Sequence, residues 1–122
     1  MVNIFAPRSQ ENIQAAEQLF ETALYNASAN RAYYAAFHAA IAVIYAKGLR
    51  VATDHEKVQA VFNGELIHRR KIFPAKLRTY LLDMHELREE ADYGNGVSKK
   101  QAAGQLRIAR ECMTTIFEEI PK

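Results

Sequence analysis

One arginine, one histidine and three tyrosines interrupt an otherwise apolar run, Asn30–Tyr45, which reads NRAYYAAFHAAIAVIY. The guanidinium at the head of this run is always charged and can only donate. Arg31 therefore needs a carboxylate, a phosphate or water to accept from it. The segment LREEADYG, Leu87–Gly94, offers acceptors about sixty residues further on. In a helix, Arg31, Tyr34, Ala35, His38, Ala42 and Tyr45 fall within about 100° of one another, with Tyr33, Phe37, Ala40 and Ile44 roughly opposite as core. Arg31 and His38 then stand two turns, about 10 Å, apart on one side. Tyr34, Tyr45 and His38 either pack on a neighbouring helix or line a site. The small residues at 35, 39 and 42 admit a close neighbour, and this face is the expected interface between two copies.

Arg88 falls within about 20° of Leu77 on its own helix and so points inward, with Asp92 four residues on. An inward arginine backed by an aspartate and by Tyr93 is either a structural clamp or a phosphate-holding group. Glu89 and Glu90 are expected to be solvated. A second basic feature is the connector His68–Arg78, in which His68, Arg69, Arg70, Lys71, Lys76 and Arg78 occur with no carboxylate among them. It reads as solvated charge or as a phosphate track for RNA or nucleotide, with Phe73 or Tyr80 as stacking rings. Glycine-rich phosphate loops, H-E-x-x-H and nucleophile elbows are absent from the sequence. His55-Glu56 reads as part of a helix cap, and no metal or cofactor is expected.

Helical periodicity, with almost no strand signal, must position these groups. The spacing predicts a first helix from near Ser9 to about Leu24, burying Ile13, Ala16, Phe20 and Ala23. Asn26 and Ser28 should interrupt, before a second helix that runs to Lys47 and stops at Gly48. Thr53 and Glu56 form a capping box for a third helix through Val58, Val61 and Phe62, ending near Asn63–Gly64. Pro74 should lie in the first turn of a fourth, with Leu77, Leu81, Met84, Leu87 and Ala91 as its stripe. Gly94–Gly96 ends that helix. Ser98 and Gln101 cap the last, which buries Ala102, Leu106, Ala109, Met113, Ile116 and Phe117. The fold class is all-α: an up-and-down bundle of four main helices plus a shorter one.

With 122 residues, the chain suits one domain spanning 1–122. Sixteen basic against fourteen acidic residues leave +2, which does not describe a DNA-coating protein. The lone cysteine, Cys112, excludes an intrachain disulfide, suits a reducing compartment and sits at core spacing. No signal peptide is visible, and Ala32–Ala46 is too short and too polar to span a bilayer, so a cytoplasmic location is expected.

Together, NRAYYAAFHAA and LREEADYG resemble the HEPN superfamily, in particular its small prokaryotic branch with an RAYYA-F helix and a later R-x-x-A-D-Y. The resemblance covers nearly the whole chain. It implies an up-and-down bundle that forms homodimers and works beside a separate minimal nucleotidyltransferase, as toxin and antitoxin. Many members are metal-independent ribonucleases carrying R-x(4–6)-H. Arg88 matches that arginine and Asp92 a polar position, but Tyr93 stands where the pattern has histidine. A phenol titrating near 10 is a poorer proton carrier at neutral pH than an imidazole near 6.5. His38 on the facing helix and His85, one turn before Arg88, are the imidazoles within reach.

The leading expectation is therefore a homodimeric binding protein for nucleotide, RNA or a nucleotidyltransferase. Its polar pocket would draw on Arg31, Tyr34, His38, Arg88, Asp92 and Tyr93, with Arg69, Arg70 and Lys71 as an outer track. The alternatives are a ribonuclease, in which Arg88 stabilises charge while His38 or Tyr93 moves the proton, and a non-catalytic structural dimer.

Overall fold

In the computed structural model, which describes residues 1–121, the buried middle of the chain forms a central helix and the other helices gather round it. This helix, α2 (Tyr25–Ala46), follows α1 (Val2–Glu21) and precedes the short α3 (His55–Val61). The chain continues from α3 as π-helical turns over Phe62–Arg69, then forms α4 (Lys76–Tyr93) and α5 (Lys99–Phe117). Four long helices and one short one make the all-α bundle that the periodicity predicts.

Thirteen residues of α2 are buried, among them Tyr33, Phe37, Ala40 and Ile44. Contacts pairing Ser28 with Ala16, Asn12 with Arg31, Ser9 with Ala35 and Phe5 with His38 run α1 antiparallel along α2. Two serine hydroxyls seal this seam: Ser9 Oγ donates to the Ala35 carbonyl at 2.6 Å and Ser28 Oγ to Ala16 at 2.8 Å. Ala35, Ala39 and Ala42 are completely buried. The small-residue face expected to meet a second copy is thus covered within the chain, because alanines let α1 approach close enough for side chain-to-backbone bonds. Gln105 of α5 donates to the carbonyls of Met84 at 2.9 Å and Ala29 at 3.3 Å, fastening α5 to α4 and α2.

The element boundaries differ from expectation in several places. α1 begins at Val2 and carries Pro7 inside it, because Phe5 and Ser9 are buried anchors on either side while the proline faces solvent. Its end comes at Glu21. Ala23, expected in the core, is exposed in the turn at φ 62°. Asn26 and Ser28 lie within α2: their side chains bond to Val97 N and Ala16 O, and so do not compete for their own backbone. The cap of α3 is Asp54, whose carboxylate accepts from Glu56 N at 2.8 Å and Lys57 N at 3.4 Å, in place of the Thr53–Glu56 box. Asn63–Gly64 does not end the third helical stretch, since fully buried Phe62 and Leu66 hold it on the core. Pro74 lies just ahead of α4, its carbonyl accepting from Leu77 N at 3.1 Å.

Leu77, Leu81, Met84 and Ala91 form the buried stripe of α4, which ends at Gly94. Ser98 and Gln101 form the expected capping box of α5, with bonds of 3.1 and 2.9 Å. Cys112 is fully buried, and burial pushes its thiol up to about 12, so it packs as a small apolar group. Among the described residues no helix is long and apolar enough to cross a membrane.

Candidate functional site

The second and third turns of α2 present Asn30, Arg31 and Tyr34 between α1 and the end of α4. Asp92 meets Arg88 and not Arg31: its Oδ2 is 3.2 Å from Arg88 Nε. That nitrogen has no directed hydrogen bond, so the contact is ionic and off the N–H axis. Arg88 Nη1 donates to Glu89 Oε1 at 2.8 Å. Glu89, its side chain solvated as expected, is therefore also part of the site. Glu90 also has a partner, accepting from Asn95 N at 2.8 Å at the helix end.

Arg31 finds amide oxygens in place of a carboxylate. Its Nε donates to Asn30 Oδ1 at 2.8 Å and its Nη1 to Asn12 Oδ1 at 2.9 Å. The Asn30 amide in turn donates to Asp92 Oδ2 at 2.8 Å, so Asp92 reaches Arg31 only through an asparagine. Both guanidiniums lie against one ring: the Arg31 and Arg88 carbons are 4.9 and 5.4 Å from the Tyr34 centroid. Tyr93 is 76% exposed, with Arg88 5.8 Å from its ring.

Because Arg31 can only donate, the Asn12 oxygen must face it, and the Asn12 NH₂ then faces His38 Nδ1 at 3.0 Å. That leaves Nδ1 as an acceptor and the ring proton on Nε2. Burial first, then Arg8 and Arg31, hold His38 down to about 4, in keeping with the neutral tautomer. Tyr45 is structural, its hydroxyl donating to the Val51 carbonyl at 2.8 Å.

A cleft of about 440 Å³ opens beside Arg88, with Tyr33, Tyr34, His55 and His85 in its walls. The His55 and His85 rings stack at 3.8 Å and 21°. Burial and His55 together lower the His85 pKa. Tyr33 Oη and His85 Nε2 are buried without hydrogen-bond partners. His85 Nε2 is 3.6 Å from Glu89 Oε1, too long for one. A smaller cleft of about 320 Å³ between α1 and α2 is lined by Arg8, Glu11, Asn12, Arg31 and His38.

The structure thus gathers Arg31, Tyr34, Arg88, Asp92 and Tyr93, with His38 two turns along α2 and joined to Arg31 through Asn12. It does not bring Arg69, Arg70 and Lys71 there. Arg70 donates to the Lys47 carbonyl at 3.1 Å, sixteen residues or about 24 Å along α2 from Arg31. Arg69 pairs with Glu65 and Lys76 with Glu111, each at 3.0 Å, so the fold supplies carboxylates that the connector lacks. Phe73 is buried against Phe62, with centroids 5.2 Å apart, and is not a free stacking ring.

Sequence reasoning missed His55, hidden in a cap, and the asparagines. Asn12 leaves a signal, being a polar residue on the same α1 stripe as Ile13 and Ala16.

An all-α bundle whose central helix joins an arginine–asparagine–aspartate network to a second arginine defines the class of protein. A family model for the HEPN domain matches residues 3–120, and the chain belongs to that family. It is similar to a UPF0332 protein of Gloeobacter violaceus, 32% identical over 84% of this chain and 81% of the relative. A UPF0332 protein of Thermotoga maritima is 31% identical over 77% of this chain and 70% of its own length.

Proposed function

We propose that this HEPN-family chain binds a phosphate-bearing ligand, RNA or a nucleotide, in the Arg88 cleft. In this reading it is a single-domain cytoplasmic protein that acts as a homodimer. It works beside a minimal nucleotidyltransferase in a toxin–antitoxin type module. The carrying observation is convergence: Arg88, Tyr33, Tyr34, His55 and His85 reach one cleft from three elements, with three polar atoms of these residues lacking hydrogen-bond partners. Arg88 holds phosphate oxygens, Asp92 and Glu89 orient the guanidinium, and the exposed Tyr93 ring beside it stacks on a base. The exposed Tyr93 beside Arg88 suits a site at the seam between copies. Partner and module are what the HEPN resemblance implies.

Anisotropy of a labelled oligoribonucleotide across a salt series tests the ligand. Binding should weaken steeply with salt and fall about tenfold or more in Arg88→Gln, with the helical circular dichroism unchanged. Equal affinity in that variant would remove the cleft from consideration. If Arg88→Gln loses helicity and no ligand binds the wild type, Arg88 is a structural clamp and the chain has no ligand site there.

The stacked imidazoles favour a second reading, a metal-independent ribonuclease. Arg88 would stabilise the charge developing on phosphorus while His85 or His55 replaced the imidazole that Tyr93 lacks. RNA cleavage in EDTA, lost in both Arg88→Gln and His85→Gln, is the expected result for that reading. Intact RNA after prolonged incubation with pure protein would exclude it.

A further inference from the structure

The smaller cleft between α1 and α2 lies outside the proposed Arg88 site and has its own charge problem. Arg31 is held by two neutral amides, and among the described residues neither Arg31 nor Arg8 makes an ion pair. Glu11 lines the same cleft, so with His38 neutral its side chains sum to one positive charge. The donors are also arranged. Nε of Arg31 is taken by Asn30 and one N–H of Nη1 by Asn12, which leaves Nη2 and the second Nη1 hydrogen as open donors. Asn12 occupies His38 Nδ1, which leaves Nε2–H. The Arg8 side chain, on exposed α1 surface with its guanidinium carbon 5.6 Å from the Phe5 ring centroid, supplies a third donor.

We infer that the α1–α2 cleft lined by Arg8, Asn12, Arg31 and His38 is a binding site for a phosphomonoester group. Three donor groups suit the three terminal oxygens of a phosphomonoester better than the two of a carboxylate. The charge also matches. A phosphomonoester carries between one and two negative charges near pH 6–7. The cleft rises from one to two positive charges if His38 takes a proton from solvent as the anion enters. The groups facing that ring are Arg8 and Glu11 from α1 and Arg31 from its own helix, with Phe5, Tyr34 and Phe37 packed around it. Burial, Arg8 and Arg31 all disfavour the protonated ring, so an arriving phosphate anion is the change able to shift it. The phosphate could belong to a free nucleotide or to the 5′ end of an RNA strand.

The test is a side-chain NMR titration of His38 in a phosphate-free buffer. It is repeated with inorganic phosphate, with AMP, and with oligoribonucleotides bearing a 5′-phosphate or a 5′-hydroxyl. The expected result is an upward move of the His38 midpoint by a pH unit or more with phosphate and AMP. A matching move with the 5′-phosphorylated strand, but not with its 5′-hydroxyl counterpart, would identify RNA ends as a source. A move with AMP alone would identify nucleotides. Arg8→Gln should weaken the effect about tenfold, and His55→Gln, which alters only the Arg88 cleft, should leave it intact, which separates the two sites. An unmoved midpoint, an equal response to the 5′-hydroxyl strand, or full binding by Arg8→Gln would each overturn the inference.

Discussion

Asn12 shows how much can turn on one uncharged amide. It orients Arg31 on one side and fixes the His38 tautomer on the other. Asn12→Asp keeps the shape but places a carboxylate between them, so the His38 midpoint should climb from about 4 to above its ordinary value, as followed by NMR. In the native chain the depressed value couples to stability. Between about pH 6.5 and 4 the unfolded chain binds the extra proton, so stability rises with pH across that window. It is fully present above 6.5 and lost as pH falls through 4. The ring is only half-buried, and screening by water limits the effect to about 1 kcal/mol. The Tm should fall on acidification through this window, and that part of the fall should vanish in His38→Gln. At this scale the sequence announces Arg31 and Arg88 as charges in apolar surroundings, and both do converge on Tyr34. Which acceptor serves which arginine is not legible. Asp92 could reach either by spacing alone, and only the packing of α1 on α2 delivers Asn12 to Arg31.

Among the elements, α5 was the most legible, since a local box and a regular stripe agree. Ser98→Ala should cost about 1 kcal/mol in chemical denaturation. The chain between α4 and α5 is tighter than its glycines suggest. Gly96 sits at φ 88°, and an added Cβ would lie 3.2 Å from Asn26 Oδ1, the atom that accepts from Val97 N. Gly96→Ala should therefore destabilise by about 1–2 kcal/mol, and Asn26→Ala should remove part of that penalty by relieving the contact. The boundaries misread from sequence share one cause. Pro7, Asn26, Ser28 and Gly64 carry local signals for a break, but tertiary partners or buried neighbours outweigh them. Asn26 and Ser28 bond to residues far along the chain, and Phe62 and Leu66 draw the segment around Gly64 onto the core.

For the molecule as a whole, the central position of α2 follows from its composition, because a helix apolar on nearly every side has to be surrounded. Its surroundings were less legible. The alanine face reads equally well as a contact with another copy or with this chain's own α1, and serine bonds settle it in favour of α1. Any pairing of two copies must use other surfaces. Among the described residues, Gln105 is the one side chain that grips two other long helices through their carbonyls. Gln105→Leu keeps the volume while removing both bonds, and should lower stability by about 1–2 kcal/mol in urea unfolding without altering ligand affinity. Pro7 implies a gradient along this architecture. Lacking an N–H, it leaves the Asn3 carbonyl without its usual donor, so the leading turns of α1 can fray while α2 stays closed. Arg8 belongs to those turns. Amide protons there should exchange with deuterium well before those of α2, and a phosphomonoester that clasps Arg8 should slow them.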